Sequence, residues 1–163
     1  METARQLPTV PADQILVEPC GRNTAPCIGL AAIQLLTVDP DAIMLVMPAD
    51  HVIQPTAKFQ QAVEQAVATV EEEPSTMVLF GVEPDYPATG FGYIQRGERV
   101  ATRTCPTYRV KSFHEKPNLL NASRFMATSE YYWNCGIFVW RAKTILDALR
   151  EFSPEIYEKL ERL

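Results

Sequence analysis

The run Ala42-Ile43-Met44-Leu45-Val46-Met47-Pro48-Ala49-Asp50-His51 decides the fold. Its apolar part, Ala42 to Met47, is too short for a helix of its own and suits a strand buried on both faces. Such strands belong to sheets covered by helices, and in an open α/β sheet ligands bind at the carboxyl edge of the strands. Pro48, Ala49 and Asp50 fall where that edge would lie.

Working outward, Ile15 to Val17 reads as a short strand and Pro26 to Val38 as a helix rich in Ala, Leu and Ile. Asn23 or Thr24 can cap that helix, and Pro26 fits its first turn, where a missing N–H costs nothing. Beyond His51, residues Phe59, Ala62, Val63, Ala66, Val67 and Val70 recur on one helical face. Glu71 to Pro74 ends this helix, and Met77 to Val82 reads as the next buried strand. The order strand, helix, strand, helix, strand predicts right-handed βαβ crossovers and a mostly parallel sheet flanked by helices. From Glu83, the residues Pro84, Pro87, Gly90, Gly92 and Gly97 punctuate short aromatic stretches, which predicts loops and small strands forming a lid or second lobe. Tyr108 to Glu115 then reads as a strand, Asn121 to Thr128 as a helix and Gly136 to Arg141 as a strand. Ala142 to Phe152 reads as a helix, and Pro154 opens another.

At 163 residues the chain has the size of one domain and can bury a real core. A formal net charge of -5 argues against a nucleic-acid surface, which needs clustered Lys and Arg. No apolar stretch approaches the roughly 18–20 residues needed to span a bilayer, and Met1 to Pro11 lacks the basic-then-apolar order of a signal peptide. These features predict a soluble cytoplasmic protein. Cys20, Cys27, Cys105 and Cys135 form no CxxC pair and have no His at zinc-finger spacing, so free thiols are expected.

Several short runs carry polar chemistry. Asp50 either holds Mg²⁺, which shares its coordination between carboxylate, water and phosphate oxygens, or caps the helix that starts near Pro55. Arg22, Asn23 and Thr24 bring a cation, an amide and a hydroxyl to the start of a helix, where anions are favoured; ordinary capping beside a surface Arg is the other account. In Glu115-Lys116-Pro117 the carboxylate can accept from sugar hydroxyls and the ammonium can meet a phosphate, or the two form a surface ion pair. Asn134, in Tyr131-Tyr132-Trp133-Asn134-Cys135-Gly136, stands just before a strand among residues that otherwise read as core aromatics. Ala88-Thr89-Gly90-Phe91-Gly92-Tyr93 is either a turn or a place where backbone approaches a small ligand closely.

Taken together and in order, EPCGRNTAPCIGLAA (18–32), MPADHVI (47–53), ATGFGYI (88–94), FHEKP (113–117) and YYWNCGIFVW (131–140) resemble the mannose-1-phosphate guanylyltransferases of the sugar-phosphate nucleotidyltransferase group. The resemblance runs from about Ile15 to about Leu163. It implies a Rossmann-like nucleotidyltransferase fold with a small β-rich sugar-binding lobe, and the Mg²⁺-dependent conversion of GTP and mannose 1-phosphate into GDP-mannose and pyrophosphate. It further implies that Arg22, Asn23, Thr24 and Pro48 line the nucleotide pocket and that Asp50 is the metal ligand. Gly90 and Tyr93 would border the mannose, Glu115 and Asn134 would hydrogen-bond its hydroxyls, and Lys116 would neutralise its phosphate. On this reading residues 15–82 form the nucleotide- and metal-binding part and 83–163 the sugar-phosphate part.

The sequence also departs from that family. No GGxGxR-like phosphate loop and no second metal-binding Asp downstream occur, Ala88 stands where Glu is usual, and Cys135 where Ser is common. The chain therefore reads as the middle of a catalytic domain that begins near the third strand. A sheet without its first strands exposes an edge, which predicts self-pairing and leaves room for a homo-oligomer. Two other functions fit the same runs: a noncatalytic sugar-nucleotide-binding or regulatory subunit, and a transferase using another nucleotide or sugar phosphate. Electrostatic catalysis without a phosphate loop loses its largest contribution, so the purified 163-residue chain is expected to show no measurable guanylyl transfer in a pyrophosphate-release assay; ordinary turnover would contradict the reading.

Overall fold

The computed structural model describes residues 2–18, 20–101 and 103–162. Pro19 of the 18–32 run and Leu163 at the end of the resemblance lie outside the described residues. The order of elements is α1 (Glu2–Gln6), a 3₁₀ turn (Ala12–Gln14), α2 (Thr24–Leu36), β1 (Ile43–Val46), α3 (Thr56–Glu72), β2 (Val78–Val82), β3 (Tyr93–Arg99), β4 (Tyr108–His114), α4 (Leu119–Ala127), β5 (Tyr131–Arg141), α5 (Ala142–Phe152) and α6 (Pro154–Leu160).

The five strands form one sheet organised around β5. Phe138 and Val139 pair with Val46 and Leu45 of β1 and also with Leu79 and Val78 of β2, so β1 and β2 flank β5 on opposite edges. Further toward the start of β5, Tyr131, Tyr132 and Trp133 pair with Gln95, Ile94 and Tyr93 of β3, which in turn carries β4. Successive strand residues face opposite sides, and the core divides accordingly. Trp140 packs with Met44, Ala42 and Ala142 against Ile28 and Ala32 of α2, while Val139 packs with Ala66 and Val70 of α3. Arg141 fastens this end of the sheet, donating to Asp41 Oδ1 at 2.8 Å.

The α/β class holds, but the expected parallel pairing does not: every strand pair among the described residues is antiparallel. β1 and β2 do run in the same direction, as a βαβ unit through α3 requires. The late strand β5 enters between them in the opposite sense, so the two never share hydrogen bonds. Nor is β1 covered on both faces, because Leu45 is 41% exposed and the outer edge of β1 has no partner strand among the described residues. The expected strand at Ile15 to Val17 is irregular chain with Leu16 and Val17 exposed. With no described strand beside it to complete a hydrogen-bond ladder, extended backbone there gains nothing from β pairing. The strand expected from Gly136 instead begins at Tyr131, because its first residues pair with β3.

Val139 is fully buried at the centre of this arrangement. Val139→Ala removes methyl groups from a site closed by α3 on one side and by strands on both edges. It is expected to cost about 2 kcal/mol, read in urea denaturation as a lower midpoint with an unchanged slope.

Candidate functional site

β1 and β3 use the same edge of β5 but do not touch end to end. β1 takes residues 138–141 and β3 takes 131–133, leaving Asn134 to Ile137 unpaired with either. On the opposite edge the β2 register shifts between Leu79 and Gly81, so β5 is also irregular there. Gly136 adopts a positive φ of 71°, a conformation that favours glycine. Asn134 Oδ1 accepts from Gly136 N–H at 3.3 Å and closes the bend locally. The Cys135 thiol donates to the Phe80 carbonyl at 3.2 Å, tying the bend to β2, and burial raises its pKa.

Three segments meet at this gap. A Cβ built on Gly136 would lie 3.4 Å from Pro48 Cγ, so the loop that follows β1 reaches the bend directly. Asn134 N–H donates to the Gly92 carbonyl at 2.8 Å, bringing in the turn before β3. A Cβ on Gly92 would lie 3.0 Å from Glu115 Oε2 and 2.7 Å from Phe113 Cζ, so the carboxylate at the end of β4 sits over that turn. Lys116 Nζ is 2.9 Å from Glu115 Oε1, with both side chains more than half exposed. Such a pair contributes at most about 1 kcal/mol, so an arriving phosphate can draw the ammonium away at little cost. Lys116 also has φ 44°, an uncommon backbone state for a residue with a side chain.

Asp50 follows Pro48 by two residues and is exposed. The capping role is not what it does: α3 has Pro55 at its N-cap and no side-chain cap bond. Its carboxylate therefore stands open at the carboxyl edge of β1. No group of three or more His, Cys, Asp and Glu able to enclose a metal occurs among the described residues. Mg²⁺ does not require such a cage, since one or two carboxylates with waters and substrate phosphates suffice; an exposed single carboxylate suits that mode.

Asn23, with φ 118°, accepts from Thr24 N–H at 3.1 Å and so caps α2, leaving the Arg22 and Thr24 side chains exposed. The short connection from Leu36 to Ile43 places the end of α2 beside the start of β1. A helix packed along that strand must then direct its first turn toward the strand's carboxyl end, the end where Asp50 stands. Cys27 lies in that turn, its thiol pKa raised first by burial and then by the nearby Glu18 carboxylate.

Tyr93 does not fit its expected place at a sugar. It is fully buried with its ring 5.4 Å from Phe125, supporting the sheet from inside. Sequence reasoning misses the parts played by Gly92 and Gly136, whose contacts with Glu115 and Pro48 leave no local sign in the chain. It also misses the aromatic cluster beside the gap, where Trp133 meets Tyr86 and Phe91 edge-on at 4.9 and 5.2 Å. Gly90 has open space around it, so nothing among the described residues requires glycine there.

Helices on both faces of a sheet, with polar groups gathered where strands end, define an α/β domain of the kind that holds ligands at its sheet edge. The chain belongs to the nucleotidyl transferase family, whose model matches residues 3–163. It is similar to a mannose-1-phosphate guanylyltransferase of Escherichia coli, 43% identical over 157 residues, which are 96% of this chain and 33% of that protein. It is likewise similar to the alginate biosynthesis protein AlgA of Pseudomonas aeruginosa, 44% identical over 144 residues, 88% of this chain and 29% of that protein. Among solved structures, the mannose-1-phosphate geranyltransferase from Thermus thermophilus matches with a TM-score of 0.81 and 31% identity, covering 99% of this chain and 45% of that one. The chain thus spans about a third of the length of the curated relatives it matches.

Gly136→Ala tests the bend. Its added methyl meets Pro48 at ordinary contact distance, so the expected loss of about 1–2 kcal/mol comes from the positive φ alone. Gly90→Ala, with open space and no positive φ, should stay within about 0.5 kcal/mol of the unchanged chain in the same denaturation experiment.

Proposed function

We propose that this chain supplies the sugar-phosphate side, and part of the nucleotide side, of a mannose-1-phosphate guanylyltransferase. The observation that carries the reading is the meeting of Pro48, Asn134 to Gly136, Gly92 and Glu115 at one gap in the sheet. The 43–44% identity to proteins named for guanylyl transfer and alginate biosynthesis supports it.

In the proposed reaction a phosphate oxygen of mannose 1-phosphate attacks the α-phosphorus of GTP in line. The new P–O bond forms as the bond to the β-phosphate oxygen breaks, giving GDP-mannose and pyrophosphate. Protein groups in such a transfer position the reactants and offset charge. Glu115 and the Asn134 amide would hold sugar hydroxyls, and the open space beside Gly90 would let the hexose approach. Lys116, one residue from Glu115, would take the sugar phosphate, exchanging its weak pairing with Glu115 for a doubly charged partner. Arg22, Thr24 and the capped turn at Asn23 would face the nucleotide beside Pro48. Mg²⁺, held by Asp50 with waters and phosphate oxygens, would offset negative charge on the phosphates.

On this reading residues 15–82 serve the nucleotide and metal and 83–163 the sugar phosphate. No helix among the described residues is long and apolar enough to cross a membrane, and the four free cysteines fit a reducing cytoplasm. The outer edge of β1, without a partner strand among the described residues, leaves room for a homo-oligomer.

Calorimetric titration of the chain separates the two sides. Glu115→Gln is expected to weaken mannose 1-phosphate binding about tenfold, the loss of a charge-assisted hydrogen bond, with GTP binding unaffected. Asp50→Asn is expected to remove the dependence of GTP binding on Mg²⁺. Unchanged Mg²⁺ dependence in Asp50→Asn would overturn the metal assignment, and binding of neither ligand by the unaltered chain would overturn the function.

A further inference from the structure

A second concave site shares none of the residues assigned to nucleotide, metal or sugar. It is a groove of about 920 Å³ lined by one face of α3, by β2, by Tyr132 of β5 and by the β3–β4 hairpin, within the range of roughly 300–1,000 Å³ typical of small-ligand sites. Its lining carries Lys58, Arg96, Arg103 and Arg109 against the single carboxylate Glu73, a basic surface on a chain of net charge -5.

Two of the arginines are neutralised. Arg103 makes a paired contact with Glu72 at 3.0 and 2.8 Å, and Arg109 contacts Glu73 at 3.2 Å. These bonds, ahead of any other cause, hold both carboxylates below the ordinary range. Arg96 is different. It is half-buried in mid-strand, and no carboxylate pairs with it among the described residues. Its Nη1 donates to the Tyr108 and Tyr132 hydroxyls, both at 3.3 Å, and its guanidinium lies 5.0 and 5.9 Å from the centres of the same rings.

Donors remain on both sides of these contacts. Each phenol oxygen accepts from Arg96, so each O–H is free to donate elsewhere. Arg96 Nε and Nη2 have no protein partner among the described residues and are not sealed from solvent. A guanidinium fork with two hydroxyl donors at its side is the donor set that matches a tetrahedral oxyanion, and a half-buried cation without counter-charge gains from receiving one.

We propose that this groove binds a phosphoryl group of a small molecule through Arg96, with the Tyr108 and Tyr132 hydroxyls completing the contact. The proposal is independent of the function assigned to the gap in β5. The competing account makes Arg96 a strut that uses its cation–π contacts to fasten β3 to β4 and β5.

Inorganic phosphate is the probe, titrated into the ¹⁵N-labelled chain with sodium chloride at matched ionic strength as the control, while the Arg96 Nε–H resonance is followed. A saturable phosphate shift that chloride does not reproduce is expected. Arg96→Gln should abolish saturable binding at the groove, followed there by the backbone amides of β3. Tyr108→Phe/Tyr132→Phe keeps both rings, and so the strut, but removes the donors; it should weaken phosphate about tenfold or more. No saturable response in the unaltered chain, an equal response to chloride, or unchanged affinity in the tyrosine double variant would each overturn the proposal. Should Arg96→Gln fail to fold, the double variant decides alone.

Discussion

Backbone hydrogen bonding along Tyr131–Arg141 is the constraint on which the rest depends. One strand takes β1 and β3 on one edge and β2 on the other, and only β4 is attached to the sheet through an intermediary. Because β1 and β3 occupy different stretches of the same edge, their separation leaves Asn134 to Ile137 unpaired on that edge, while on the other edge Asn134 still pairs with Gly81 of β2. The site is therefore a by-product of how the sheet is paired, and the positive φ of Gly136 is what lets the strand pass through it.

Around that bend, the polar groups are held loosely and the apolar ones tightly. Glu115, Lys116 and Asp50 are exposed and weakly engaged, whereas Tyr93, Phe125 and Tyr131 form a packed layer, with Phe125 and Tyr131 stacked at 4.2 Å. The basic groove beside α3 follows a different rule. There the charges are mostly spent on one another, and Arg96 stands out because its partners are phenols.

Much of this is legible in the chain itself. Ile43 to Val46 and Val78 to Val82 are strands because each lies in an apolar run too short for a helix, and Phe59 to Val70 lies in a helix because a period of 3.6 is written locally in side-chain polarity. Asp50 at the end of a strand can be picked out because strand ends in open sheets project their next residues toward solvent. Tyr93 cannot be excluded from the site on sequence grounds, since an aromatic beside glycine reads the same whether its ring points to a ligand or to Phe125. Gly92 and Gly136 are hidden for a related reason: the atoms that make them necessary belong to Glu115, Phe113 and Pro48, distant along the chain.

From the chain alone come the order of helices and strands after Thr24 and the polar residues at their ends, which follow from short-range backbone preference and burial pattern; the strand expected at Ile15 to Val17 is the exception, since it has no described neighbour to pair with. Which strand lies beside which was left to the tertiary structure. An apolar strand accepts a parallel or an antiparallel neighbour with similar ease, and the choice of β5 between β1 and β2 is made by contacts nearly a hundred residues apart along the chain. That choice turned an expected parallel sheet into an antiparallel-paired one and opened the gap in which the candidate site lies.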